Sequence, residues 1–508
     1  MGLRVAVVLL GCSVAGLAGM GQSQQQQQQA SSHLGQVAKR HGGEEANPAN
    51  GTTNNVLTLD RPALPGASQV RGGNGVTLAD PPDTARHPVS ETLHSDTITD
   101  DYRWLEQQQD PQTRSWIDRQ NAYTDSYLQQ VTIRPEIKAE LTKLERVETY
   151  STPMLRGGLY FFKKRLANEN QGSIYVRHGV GGADERLVDA TKLGADQNTS
   201  VGILDVTNDG SLLAYGVRQG GADEQAVRLI DVATRKELPD RLTSQRYFGV
   251  AISPDKKGVY YAVFHHSGTL VYWHPFGTEQ SADTVIFGKE YKSEPLGELD
   301  LIGVGISDND HWLILTISRG VPAKREDILI KDLRVPDAPI LPLVYGIENR
   351  FNLIDTGTDT FLVETDMGAP KRRILRADPN TSPHEWQTIV PETKDAIEAS
   401  TVLGGKLFIE RLVDVKNEIS IYSLEGKPTG TMKLPGFGSA TVPHGRPLEK
   451  EGSYSFESLN VPPTIYRYQA DSGATSIFAQ PKVPFHPDRY QVRQVFFKSK
   501  DGTRVPMF

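Results

Sequence analysis

The chain has 508 residues, a net charge of −7 and one cysteine, Cys12. An acidic balance without a basic stripe excludes a nucleic-acid footprint, and a lone cysteine excludes a disulfide within the chain. All aromatic residues lie at or after Tyr102, so the first hundred residues can add little to a packed core.

In chain order, residues 1–18 read as a signal peptide. Arg4 precedes an apolar run from Val5 to Ala18, and Gly16-Leu17-Ala18 offers small residues at both cleavage-specificity positions. This implies export to a periplasmic or extracellular space. The alternative is a lipid anchor through Cys12, with Leu9-Leu10-Gly11-Cys12 as the lipobox. The run is too short to span a bilayer comfortably, and no other segment has the length of a transmembrane helix. Residues 19–86 are rich in Gln, Gly and Asn and include an unbroken run from Gln24 to Gln29. Their apolar content is too low to offset the entropy of folding, so they read as a disordered leader.

Residues 87–147 read as a short helical segment. Asp110-Pro111 is an N-cap followed by proline at the first helical position. Trp116, Ile117, Tyr123, Tyr127 and Leu128 then recur at helical spacing. A second helix is expected from Pro135, with Ile137, Leu141, Leu144 and Val147 on one face. Asp101, Arg103 and Glu106 read as a capping and salt-bridge cluster ahead of the pair.

From Gly158 the period changes to that of strands. In Tyr247–His265 two β-branched and aromatic runs flank a polar turn, where Asp255 and Gly258 supply the turn chemistry. Related units recur, with turns at Asn208-Asp209-Gly210 and at Asp308-Asn309-Asp310. About seven units fit between Gly158 and Gln480, each near the length of a four-stranded propeller blade. A blade cannot cover both of its own faces, so its neighbours must. The expectation is a mainly β chain with a seven-bladed propeller over 148–482; a pair of β-sandwiches is the alternative.

Several stretches, in order, resemble the prolyl oligopeptidase family of serine peptidases. They are Asp101-Tyr102-Arg103-Trp104-Leu105-Glu106 with Trp116 and Asn121, then Leu213-Ala214-Tyr215 with Gly220-Gly221-Ala222-Asp223-Glu224. Tyr272-Trp273-His274-Pro275 with Gly277-Thr278 follows, then Thr365-Asp366 with Gly368-Ala369-Pro370, and last Phe497 to Met507. One departure is Ile252, where the family typically has Trp. The resemblance implies a propeller covering an α/β-hydrolase domain that holds Ser, Asp and His. That catalytic domain is expected to be absent here apart from its first strand, in a return segment at 483–508.

An α/β-hydrolase nucleophile sits in G-x-S-x-G. No serine here has glycine both two before and two after it; Ser307 follows Gly305 but precedes Asn309. No residue is therefore assigned a catalytic, cofactor, metal or substrate-binding role. His265, His266 and His274 invite a metal reading, but neighbours on a strand point to opposite faces. Asp205 to Gly210 has Thr207 and Gly216 where a calcium loop needs ligands. Two functions follow. One is the propeller part of a secreted endopeptidase that cleaves short peptides after proline, inactive alone, the propeller gating access. Its partners would be proline-containing peptides and a hydrolase domain, in the same chain or encoded separately; no cofactor is implied. The other is a non-catalytic propeller that binds peptide or protein. The first also implies poor solubility, from exposed apolar surface near Trp116 and Phe496.

Overall fold

The computed structural model describes residues 69–71, 77–194 and 197–508. The signal segment, Cys12 and the glutamine run lie outside them. Two compact units contain the described residues, one within Gly43–Glu145 and one from Arg146 to Phe508. Among the described residues no helix is long and apolar enough to cross a membrane.

In the first unit, Asp110 caps helix α1 (Pro111–Leu128) by accepting from the Gln112 amide at 2.8 Å. That bond satisfies one of the first-turn donors that a helix leaves unpaired. The aromatic stripe of α1 is half-buried, and Trp116 donates to Thr84 at 2.9 Å. Helix α2 (Arg134–Glu145) leaves Ile137, Leu141 and Leu144 about 40–50% exposed. Val147 lies beyond its end, and the apolar surface expected near Trp116 is instead on α2. Ahead of α1, Val89–Leu93 pairs with Asp96–Asp100, and Arg103 forks onto Glu91 at 2.7 and 3.2 Å. Even within the expected leader, Gln69–Arg71 pairs with Thr77–Ala79.

The second unit is a propeller of seven blades, at 149–188, 200–245, 247–287, 300–344, 351–390, 397–431 and 439–479. Six are four-stranded antiparallel sheets whose strands follow chain order; the first has five strands. Its innermost strand begins at Thr149, before the Gly158 start suggested by the pattern. In each blade the strands alternate their side chains between the two neighbours. In the first blade Phe161 packs toward Val201 and Tyr215 of the second, while Tyr160 and Phe162 pack toward Ile465 and Phe478 of the seventh. Seven buried clusters result among the described residues, one at each junction around the ring.

No strand is shared between the seventh and first blades. Side chains close that seam. The Arg177 guanidinium lies 4.0 Å above the Phe478 ring, Phe162 meets Phe478 edge-on at 5.4 Å, and Tyr160 donates to Glu451. Burial, then the Glu451 bond, pushes the Tyr160 hydroxyl up to about 12. Strand alternation also sets two ends of the ring. The chain enters the first blade and leaves the seventh at one end, the entry face. The turns between the innermost and second strands of every blade meet at the other, the far face.

Candidate functional site

A propeller offers its axis and the two mouths of that axis. On the far face the turns are tied together. Gly157 of the first blade donates to Asn208 O of the second at 3.1 Å. Lys256 of the third reaches Asp209 and, at 2.8 Å, Ser211 of the second. Asn208 Nδ2 then donates to Asp308 O and Asp310 Oδ1 of the fourth blade, each at 2.9 Å, past the third. Arg446 of the seventh blade spans to Asp308, with Nε 3.0 and 3.1 Å from its carboxylate oxygens. Asp308 N donates to Asp355 of the fifth, and Gly405 N of the sixth donates to Pro447 O of the seventh at 2.9 Å. All seven turns thus join one polar mesh.

Two features let the turns come so close. A Cβ on Gly210, at φ +72°, would fall 2.7 Å from Arg156 O, and one on Gly357 would fall 2.9 Å from Leu448 Cγ. Burial also raises the carboxyls of Asp205 and Asp355, although each accepts two backbone N–H bonds.

The entry face is different in character. After Ala479 the chain runs over the sixth and seventh blades: Asn460 donates to Tyr490 O at 2.9 Å, Gln494 to Asp414 O at 2.6 Å, and the Phe508 ring lies tilted beside Phe437 with centroids 6.3 Å apart. The segment ends in a hairpin, Val495–Lys498 with Arg504–Met507, rather than the single strand expected. Phe497 and Met507 are each 50% exposed, and Val495 46%. By the hairpin register these two side chains and Val495 share one face of the paired strands. Near the fourth blade a recess is lined by Glu294, Asp300, Arg319 and Arg325. Its charges answer each other: Arg325 forks onto Glu294 at 3.0 and 2.9 Å and holds that carboxyl down to about 2.

The residues singled out in sequence are scattered over the ring. His274 is buried between Asp283 (2.6 Å) of its own third blade and Asp240 (3.3 Å) of the second, a polar strut between the two blades. His265 meets Tyr272 at 3.2 Å and His266 faces Glu298 at 3.5 Å. Among the described residues no three His, Cys, Asp or Glu side chains are grouped to hold a metal. Asp205 accepts from the amides of Ile252 and Val206, Ser307 Oγ donates to Asn309, and Asp255 accepts from Ser253 Oγ at 2.7 Å. The positive φ of the Tyr247–His265 turn falls on Lys256, not Gly258. Gly258 is needed for room instead, since a Cβ there would lie 2.3 Å from His274 O. Asp308 carries more than its turn. Its partner Arg446 gave no signal in sequence, because nothing local marks a contact made across the ring.

Comparison with known proteins agrees with this architecture. The family described as prolyl oligopeptidase, N-terminal β-propeller domain, matches residues 81–481. The prolyl endopeptidases of Elizabethkingia meningoseptica and Elizabethkingia miricola are 29% and 30% identical over 438 residues, 84% of this chain and 61% of theirs. A solved prolyl endopeptidase, studied for inter-domain dynamics in catalysis and specificity, superposes with a TM-score of 0.74 at 30% identity, over 84% of this chain and 63% of that one. Prolyl oligopeptidase B of Galerina marginata, solved with a 35-residue substrate, has the same fold with a TM-score of 0.71 at 20% identity, over 84% and 64%. The chain therefore spans about three fifths of the length of these relatives.

Proposed function

The chain belongs to the prolyl oligopeptidase family through its N-terminal propeller portion, and from that premise we propose that it is the gating part of a serine endopeptidase cleaving short peptides after proline. The observation that carries this reading is the entry-face hairpin, whose exposed Phe497 and Met507 offer an apolar seat where the chain leaves the ring. A hydrolase domain seated there would cover it, whether it continues this chain or is made separately. That domain would supply a serine nucleophile, a histidine base, an aspartate to orient it and an oxyanion hole.

The propeller's share in this reading is selection. The far mouth carries the Arg446–Asp308 mesh, so peptides approach from the entry face, and a folded protein is too wide to follow. Export through residues 1–18 belongs to the same proposal, as does inactivity of the 508-residue chain alone, which has no G-x-S-x-G serine.

The test is an assay of a chromogenic proline-containing peptide with the purified chain, then with the chain mixed with a hydrolase domain from a similar prolyl endopeptidase. The expected result is no hydrolysis in the first case. In the second, cleavage should be faster for a short peptide than for the same sequence inside a folded protein. Robust hydrolysis by the chain alone, or size-blind cleavage by the mixture, would overturn the proposal.

A further inference from the structure

Two arginines of this propeller grip a carboxylate with one edge of the guanidinium, Nε together with Nη2. Arg325 sets that edge on Asp327 with both bonds at 2.9 Å, and Arg467 sets it on Glu451. The two N–H groups of the edge run parallel, which is the geometry of a bidentate contact. Arg411 has the same edge with nothing against it. Its Nε and Nη2 are both buried, and neither has a hydrogen-bond partner among the described residues. Nor does the guanidinium enter an ion pair among them, although the residue is only 7% exposed.

The strand places this group in a junction between blades. Arg411 lies near the entry-face end of Lys406–Val413, the second strand of the sixth blade. Its register against the third strand is unbroken, so Leu407, Ile409 and Arg411 share one face. Leu407 and Ile409 pack with Leu362 and Ile374 of the fifth blade. Ile397, opposite Arg411 on the innermost strand, is 2% exposed and joins the same cluster. The guanidinium carbon is 6.0 Å from the centre of the Tyr422 ring, and Tyr422 stands opposite Leu407. The side chain therefore lies back along the sheet rather than out toward solvent.

The carboxylates of this region are engaged elsewhere. Glu418, opposite Arg411 in the ladder, pairs with Lys416. Glu364, on the fifth-blade side, accepts from Arg372 at 2.8 Å and from Ser400 at 2.6 Å. Phe408 and Glu410 take the other face of the strand, toward the seventh blade, with Glu398 near Glu410. A buried charge left unanswered is destabilising, and an apolar side chain would fill this junction at lower cost.

We propose that the Nε–Nη2 edge of Arg411 binds a small monovalent inorganic anion of the chloride class, held between the fifth and sixth blades. Its size follows from burial. The chain's own side chains cover all but 7% of the residue, so the occupant is an ion rather than a peptide or a folded partner. Its charge follows from the walls. The edge offers one positive charge and two donors, and the isoleucines around it offer none, which suits a weakly hydrated monovalent ion and not sulfate or phosphate. The site is independent of the peptidase reading.

The experiment is chlorine NMR of the 508-residue chain in sodium chloride, with sodium gluconate holding the ionic strength. Exchange with a bound site broadens the chloride line. Arg411→Met should remove most of that broadening, and Arg411→Lys, which keeps the charge without the fork, should weaken binding about tenfold. In gluconate alone Arg411→Met should melt at or above the parent, because it removes an unanswered buried charge. Chloride should then raise the parent's melting temperature relative to that variant, by about 2 °C once it is tenfold above its dissociation constant. Should either variant fail to fold, competition on the parent decides: nitrate must narrow the line, and sulfate at equal ionic strength must not. Broadening that survives Arg411→Met, or displacement by sulfate as readily as by nitrate, overturns the site. So does the absence of broadening, which would mean that Glu418 has swung from Lys416 to answer the fork from within.

Discussion

Arg446 Nε sits 3.0 Å from Asp308 Oδ1, joining the seventh blade to the fourth across 138 residues of chain. The side chains are 23% and 11% exposed, so the pair is largely out of water. Removing one member of such a pair leaves its partner desolvated and unanswered. Arg446→Met is expected to cost about 2–4 kcal/mol in urea unfolding, and Asp308→Asn a comparable amount. The double substitution should cost less than the sum by about 1 kcal/mol or more. A cycle additive within about 0.5 kcal/mol would show that the chord does not hold the far mouth.

Phe478 is the side chain on which the seam between the seventh and first blades depends. It is 8% exposed, takes the edge of Phe162 and lies beneath Arg177. With no shared strand there, its loss removes area that backbone hydrogen bonds cannot replace. Phe478→Ala should cost about 3 kcal/mol or more. Hydrogen exchange should rise first in residues 149–188 and 439–479 and least in the fourth blade. A uniform rise over all blades would argue against a local seam.

The repeat was legible because strands buried on both faces read as short apolar runs between turns, as in Leu213-Ala214-Tyr215, Leu313 to Ile317 and Phe408-Ile409. The outer strands were not. Glu237–Gln245 and Pro428–Thr431 face solvent at the rim, so their composition is that of loops. Arg325–Asp332 was missed for a different reason: its first three residues are charged, and their burial depends on partners such as Glu294 and Arg319. The far-face mesh could not be read either. Asp308 and Asn208 look like ordinary turn residues, and only ring closure brings them together.

The entry-face hairpin leads to a prediction about behaviour in solution. Phe497 and Met507 are half-exposed on paired strands, so they contribute little to folding and much to self-association. The variant with Phe497→Ser and Met507→Ser should unfold within about 0.5 kcal/mol of the parent, as surface changes do. It should sediment as a monomer at concentrations where the parent associates. A parent chain that is already monomeric there would mean that the hairpin is no docking surface.

Glu410 gives the fold a dependence on pH near neutrality. It is 9% exposed, on the second strand of the sixth blade, with Glu398 nearby and Asn417 as hydrogen-bond donor. Burial, then the charge of Glu398, pushes its carboxyl up to about 7 from an ordinary 4.5, against the pull of Asn417. Between those values the folded chain holds a proton that the unfolded chain has released. Unfolding therefore releases a proton in this window, and stability falls as pH rises through it, by up to about 1.4 kcal/mol per unit. Above about 7 the carboxylate is charged in both states and the slope from this group vanishes. Glu410→Gln keeps the shape and removes the ionisation, so the variant should gain on the parent from pH 5 to 7 and stay ahead at pH 8. Urea unfolding of both at pH 5, 6, 7 and 8 checks this. Parallel curves for parent and variant would place the pH dependence in another group.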